Sequence, residues 1–221
     1  MKMENQYEPI YDQKIYDLLY DMPEAIVYLK SRYQTDQVWK YCIEREPKVF
    51  AMMKNPSVDM CVYALDIDGA NIIHIVTKFT NIKIDKRMAY IALRTYPAAI
   101  LHIPTEILND EMFDLAFNAQ PSLISNFSNL PYTYLLRKIG ENPSIIRYIQ
   151  NLREDLICMA LRMDPNLCVY IPNLTPQMIN IIRELKPEVA DLYTNTLESE
   201  IESYAENCEE RGAEESWSDS Y

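Results

Sequence analysis

Ile157–Gln177, ICMALRMDPNLCVYIPNLTPQ, carries in twenty-one residues the pattern from which the fold follows. Ile157, Ala160 and Leu161 lie three and four residues apart, the spacing that places side chains on one helical face. Pro165 then stops that helix, because proline lacks a backbone donor and forces the residue before it out of helical geometry. Its fixed φ also suits the first position of a new helix. Leu167, Cys168 and Ile171 follow as a second apolar stripe, and Asn173-Leu174 close the stretch as a turn and a plug.

Taking Pro165 as an anchor and working outward, the same arrangement recurs at Pro23, Pro47, Gly69, Pro97, Pro121, Pro143 and Pro187, with successive spacings of 24, 22, 28, 24, 22, 22 and 22 residues. Eight residues before the anchor stand Ile15, Trp39, Cys61, Ala89, Phe113, Leu135, Ile157 and Ile179, all apolar. Four before it stand Leu19, Ile43, Leu65, Leu93, Phe117, Ile139 and Leu161, with Arg183 breaking the column in the last repeat. Small residues collect five before it, as Cys42, Ala64, Ala92, Ala116 and Ala160, where they let helices approach closely. Ten before it every residue is polar, which marks the first turn of the opening helix. A first helix of about nine residues and a second of about eight are each too short to hold alone, so stacking must stabilise them. The expected fold is all-α: an α-solenoid of about eight short helix-turn-helix repeats with a C-terminal capping helix. Residues 1–12 read as an N-terminal extension, 13–194 as the repeat domain, 195–210 as an acidic capping helix and 211–221 as a disordered acidic tail. The longest interval, Gly69 to Pro97, holds an insertion from Val76 to Asp85.

The stretches Ile157–Gln177 and Ile91–Glu111 resemble a family of short two-helix repeats abundant in giant viruses and algae. The likeness covers roughly residues 13–193, although this chain uses proline where that family often uses glycine. The resemblance implies a helical repeat fold, possible viral origin, and no catalytic residues to carry over.

Composition agrees with a folded helical chain. It is 48% hydrophobic and 24% charged, and its 3 Gly against 13 Pro disfavour hairpin-rich β structure. The amino-terminal residues have no apolar run of signal-peptide length, and no eighteen-residue apolar stretch occurs, so a cytoplasmic protein is expected, in the host cytoplasm if the chain is viral. Five cysteines, Cys42, Cys61, Cys158, Cys168 and Cys208, form no CxxC pair and read as small core residues. The net charge of −12 is localised: nine acids against Arg211 after residue 196 leave the repeats near −4.

No phosphate loop, serine elbow, HExxH or paired-carboxylate frame occurs, so no enzyme activity, metal or cofactor is expected. The basic residues are dispersed among acids, which argues against direct nucleic-acid binding. Asp66-Ile67-Asp68-Gly69 resembles a fragment of a calcium loop but lacks its remaining ligands.

The column five residues after the anchor, Tyr28, Met52, His74, His102, Asn126, Tyr148, Tyr170 and Leu192, is rich in rings and amphipathic. Its members down to Tyr170 form the candidate partner-binding face, since Tyr and Met are favoured at interfaces. The same residues fit the rim of a core, with their polar tips in water. His74 and His102 occupy one column yet lack a third ligand for a metal. Trp217 and Tyr221, among Ser216, Ser218 and Ser220, form a candidate linear motif or a plain solvated terminus. The expected function is a non-catalytic protein–protein interaction module. The alternative is an acidic decoy that occupies the nucleic-acid site of a partner.

Overall fold

A computed structural model describes residues 8–191, and every described element is helical. The α-helices are α1 (Glu8–Asp21), α2 (Asp36–Arg45), α3 (Val58–Ile67), α4 (Ile72–Thr77), α5 (Lys86–Thr95), α6 (Asp110–Ala119), α7 (Tyr132–Glu141), α8 (Glu154–Met163) and α9 (Pro176–Leu185). The chain divides between Asn126 and Phe127 into two compact units, whereas the sequence pattern treats 13–194 as one array. Helix α1 starts at Glu8, five residues ahead of the boundary read from the sequence.

The repeat is more regular than its sequence. Helices α2, α3, α5, α6, α7, α8 and α9 each span ten residues, from eleven to two before the anchor. The residue just before each anchor is extended, with φ between −137° and −148° and ψ between 77° and 112°. At seven anchors a following proline disfavours helical geometry there, and Asp68 takes the same conformation before Gly69.

The second segment differs from expectation: it is a six-residue 3₁₀ turn, as in Pro47–Met52 and Pro165–Tyr170, and not an α-helix of eight. The reason lies at the break. With the pre-anchor residue extended, the N–H two residues after the anchor reaches that residue's carbonyl, as in Val49 to Glu46 at 3.0 Å and Leu167 to Asp164 at 3.2 Å. This i to i+3 closure starts a 3₁₀ turn, and a second one ends it, as in Met53 to Phe50 and Ile171 to Cys168. Apolar residues two, three and six after the anchor satisfy a period of 3.0 as well as one of 3.6.

The third repeat is the exception. There the 3₁₀ turn Gly69–Asn71 runs into α4. A Cβ on Gly69 would lie 2.1 Å from the Ala92 carbonyl oxygen, and the Gly69 N–H donates to Thr95 Oγ1 at 2.8 Å. Gly69 is thus required by the close approach of α5, and its φ is not positive. Buried Asn71 stands where other repeats place an apolar side chain, and its Nδ2 donates to the Ala64 carbonyl. The insertion is ordered: Phe79 is buried edge-on to Phe50, with ring centroids 5.2 Å apart.

In the first unit α2 packs on α3, α3 on α5 and α5 on α6; in the second, α7 packs on α8 and α8 on α9. Consecutive 3₁₀ turns form the other layer within each unit. The column four before the anchor is buried from Leu19 to Leu161, while Arg183 is exposed and Ile181 and Ile182 take over the burial. The column nine before it is buried from the second repeat on, as Val38, Met60, Met88, Met112, Tyr134, Leu156 and Met178, while Lys14 of the first repeat is exposed. Cys42, Cys61, Cys158 and Cys168 are buried thiols. Burial pushes the first two up to about 11, so they stay protonated.

Side-chain caps lie twelve before the anchor: Thr35, Ser57, Asp85, Asn109 and Thr175 each accept from the backbone N–H three residues on. Polar clasps tie neighbouring helices, with Tyr63 donating to Glu44, Tyr90 to Glu111 at 2.6 Å, Tyr132 to Asp155 at 3.0 Å and Thr175 to Glu154 at 2.6 Å. The Tyr63 hydroxyl is pushed up to about 12 by desolvation and its bond to Glu44. Asp68, in the fragment that resembled a calcium loop, accepts from the Ala70 N–H at 2.9 Å and closes α3.

Gly140 offers a test of helix propensity without packing. It is exposed in α7, and an added Cβ meets nothing within 4 Å. Gly140→Ala is expected to raise stability by about 0.5–1 kcal/mol, read as a higher urea midpoint at unchanged slope. A lower midpoint would contradict it.

Candidate functional site

Every described residue of the candidate face except His74 is the last residue of a 3₁₀ turn. The next residue turns extended, so the ring or tip leaves the turn at the point where the chain turns away toward the following α-helix. In the first unit Tyr28 is 88% exposed and Met52 and Asn126 are exposed, whereas His74 and His102 are half-buried. Asn126 Nδ2 is tied back to the Leu123 carbonyl at 3.1 Å. The first-unit members are chemically mixed and carry no shared contact among the described bonds.

The two histidines share a column but not a ligand set. Among the described residues, no group of three or more His, Cys, Asp or Glu is placed to hold a metal ion. Desolvation lowers the His74 pKa and nearby Lys78 adds to this, against an opposing contribution from Asp68. Above the unfolded pKa of about 6.5 both states are neutral and stability is full. Below it the unfolded chain takes up a proton that folded His74 resists, so stability falls. The melting temperature is expected to drop between pH 7.5 and 5.5, with a shallower slope in His74→Gln. Equal slopes would contradict the assignment.

The second unit brings its two members together. Tyr148 and Tyr170 end consecutive turns, and the Arg147 guanidinium carbon lies 4.9 Å from the first ring centroid and 5.9 Å from the second. Both are cation–π distances. Tyr170, 51% exposed, also forms one side of a cleft of about 190 Å³. Ile146, Ile149, Leu152, Ile157 and Ile171 make its apolar walls. Asn151 and Asn173 supply polar groups at the same cleft. Asn151 has φ 54°, a left-handed conformation that Asn tolerates better than most residues. Its column equivalents Asn129 and Asn173 do not share it.

Arg147 is absent from the face read out of the sequence. Its signal was a break in the preceding column, where Val27, Ala51, Ile73, Leu101, Ser125, Val169 and Asp191 occupy the equivalent places and Arg147 is the basic residue among them. Four other bases are ion-paired: Arg94 with Asp66, Arg137 and Lys138 with Glu141, and Arg153 with Asp155. Lys138, 3% exposed, occupies the column that holds alanine in four other repeats.

A second, larger opening of about 550 Å³ lies in the first unit, beside the end of α1 and the end of α2. Asp21, Glu24, Glu44 and Glu46 surround Arg45, whose guanidinium sits 3.5 Å above the Tyr20 ring and whose Nε donates to the Tyr20 carbonyl. Arg45 thereby caps the last turn of α1.

No family model, curated protein or solved structure matches the chain. Among the described residues no helix is long and apolar enough to cross a membrane. Leu192, the 195–210 capping segment, the 211–221 tail and the Trp217 and Tyr221 motif lie outside the described residues, as does the acidic stretch on which the decoy alternative rests.

Proposed function

We propose that this chain is a non-catalytic protein–protein interaction module that holds its partner on the turn-end face of the second unit. The observation that carries the proposal is the Tyr148–Arg147–Tyr170 arrangement beside an apolar cleft. Tyrosine and arginine are residues that interfaces enrich, because each offers a large contact area together with polar edges. A cleft with apolar walls supplies the desolvated pocket in which such anchors become effective. The likeness to two-helix repeats of giant viruses and algae fits a viral protein acting in the host cytoplasm on a host or viral partner.

Affinity capture from the native setting, followed by partner identification, tests the proposal when run with the wild-type chain and a Tyr148→Ala, Tyr170→Ala double variant. A defined partner retained by the first and reduced at least tenfold by the second is expected. Retention that is unchanged in the double variant, or no retention above the bare matrix, contradicts it.

A further inference from the structure

Arg147 differs from the ion-paired bases in what it contacts. Two tyrosine rings lie within cation–π distance of its guanidinium, and among the described residues it makes no ion pair and no hydrogen bond. Ring contact uses the π faces and leaves the in-plane N–H donors open, which is the arrangement that suits bidentate capture of a carboxylate. The rings also restrict the side chain before any ligand arrives, so less rotamer entropy is lost on binding. Tyr170 links this cation to the cleft, since its ring serves both. About 190 Å³ is room for one large side chain, given that an apolar cavity of about 150 Å³ accepts benzene.

Building on the interaction-module reading, we infer that the second unit binds a short acidic peptide segment of its partner, with a large apolar side chain in the Ile149–Ile171 cleft and a neighbouring Asp or Glu carboxylate on Arg147. Charge complementarity selects the occupant: a basic peptide would place like charges together at Arg147, and a purely apolar one would leave the donors unused.

The test uses two fluorescein-labelled peptide pools of equal length. Each member of one pool carries Asp or Glu beside Leu, Phe or Trp; in the other pool Lys or Arg replaces the acid. Fluorescence anisotropy is expected to show the acidic pool binding at least tenfold more tightly. Arg147→Gln should remove that preference and Arg147→Glu reverse it, with circular dichroism unchanged because the site is exposed. Tyr170→Ala should weaken the acidic pool as well. Equal binding of both pools, or a preference that survives Arg147→Glu, overturns the acidic-peptide assignment. If Tyr170→Ala still abolishes binding in that case, the interaction face itself stands. Removal of residues 197–221 should leave the affinity unchanged; tighter binding after truncation would assign the cleft to the chain's own acidic segment and overturn the partner assignment.

Discussion

Phe50→Ala is expected to destabilise the first unit by about 4 kcal/mol, the largest loss from any single truncation considered for this chain. Phe50 is 0% exposed in the Pro47–Met52 turn and meets Phe79 edge-on. Removing its ring forfeits the transfer free energy of the side chain and leaves a cavity bounded by a turn that two 3₁₀ closures and a proline hold in place. A rigid wall collapses poorly, which puts the cost toward the upper part of the usual range for Phe→Ala of about 3–5 kcal/mol. The aromatic pair is lost too, so the insertion that carries Phe79 loses its anchor. Thermal unfolding followed by circular dichroism should show a midpoint lower by roughly 8–16 °C. A shift under about 3 °C would mean that Phe79 refills the space.

Gly69→Ala is expected to cost about 3 kcal/mol, although the substitution adds only one methyl group to a residue with ordinary φ. The new Cβ would meet the Ala92 carbonyl oxygen at 2.1 Å and Thr95 Oγ1 at 2.8 Å. The first of these is backbone inside α5, so relief requires α3 and α5 to separate. Separation would also stretch the Gly69 N–H bond to Thr95 and disturb buried Asn71. Urea unfolding of the variant measures the loss. The same measurement on Gly140→Ala, where the added methyl meets open space, provides an opposite sign from the same chemical change. Stabilisation by Gly69→Ala would show that the helices are not in contact there.

These two sites also mark how far the sequence could be read. Proline and its preceding residue are strong local determinants, so the breaks at Pro47, Pro121 and Pro165 were legible, as was the buried column from Leu19 to Leu161. Gly69 was legible as a break but not as a contact, because the helix that excludes its side chain arrives from the next repeat. The 3₁₀ character of the second segment was not legible, since six residues with apolar positions at two, three and six fit both helical periods. The capping column has no sequence signature, because Thr35, Ser57, Asp85 and Asn109 share a role without sharing an identity, and Pro131 and Arg153 interrupt it.

The candidate face divides in the same way. Its column was visible as a list of residues, yet sequence spacing treats Tyr28 and Tyr170 alike. Only the folded second unit places one cation near both Tyr148 and Tyr170 and sets an apolar cleft beside one of them. Arg147 does not stand out from the other bases by charge, because its neighbours are rings. The left-handed Asn151 likewise separates one turn from two others of the same sequence type.

Recognition on this face is read out by nuclear magnetic resonance mapping of the isotope-labelled chain against its captured partner. Shift changes are predicted at Arg147, Tyr148, Asn151, Tyr170 and Ile171. Changes confined to other residues, with these five unperturbed at saturation, would contradict the account.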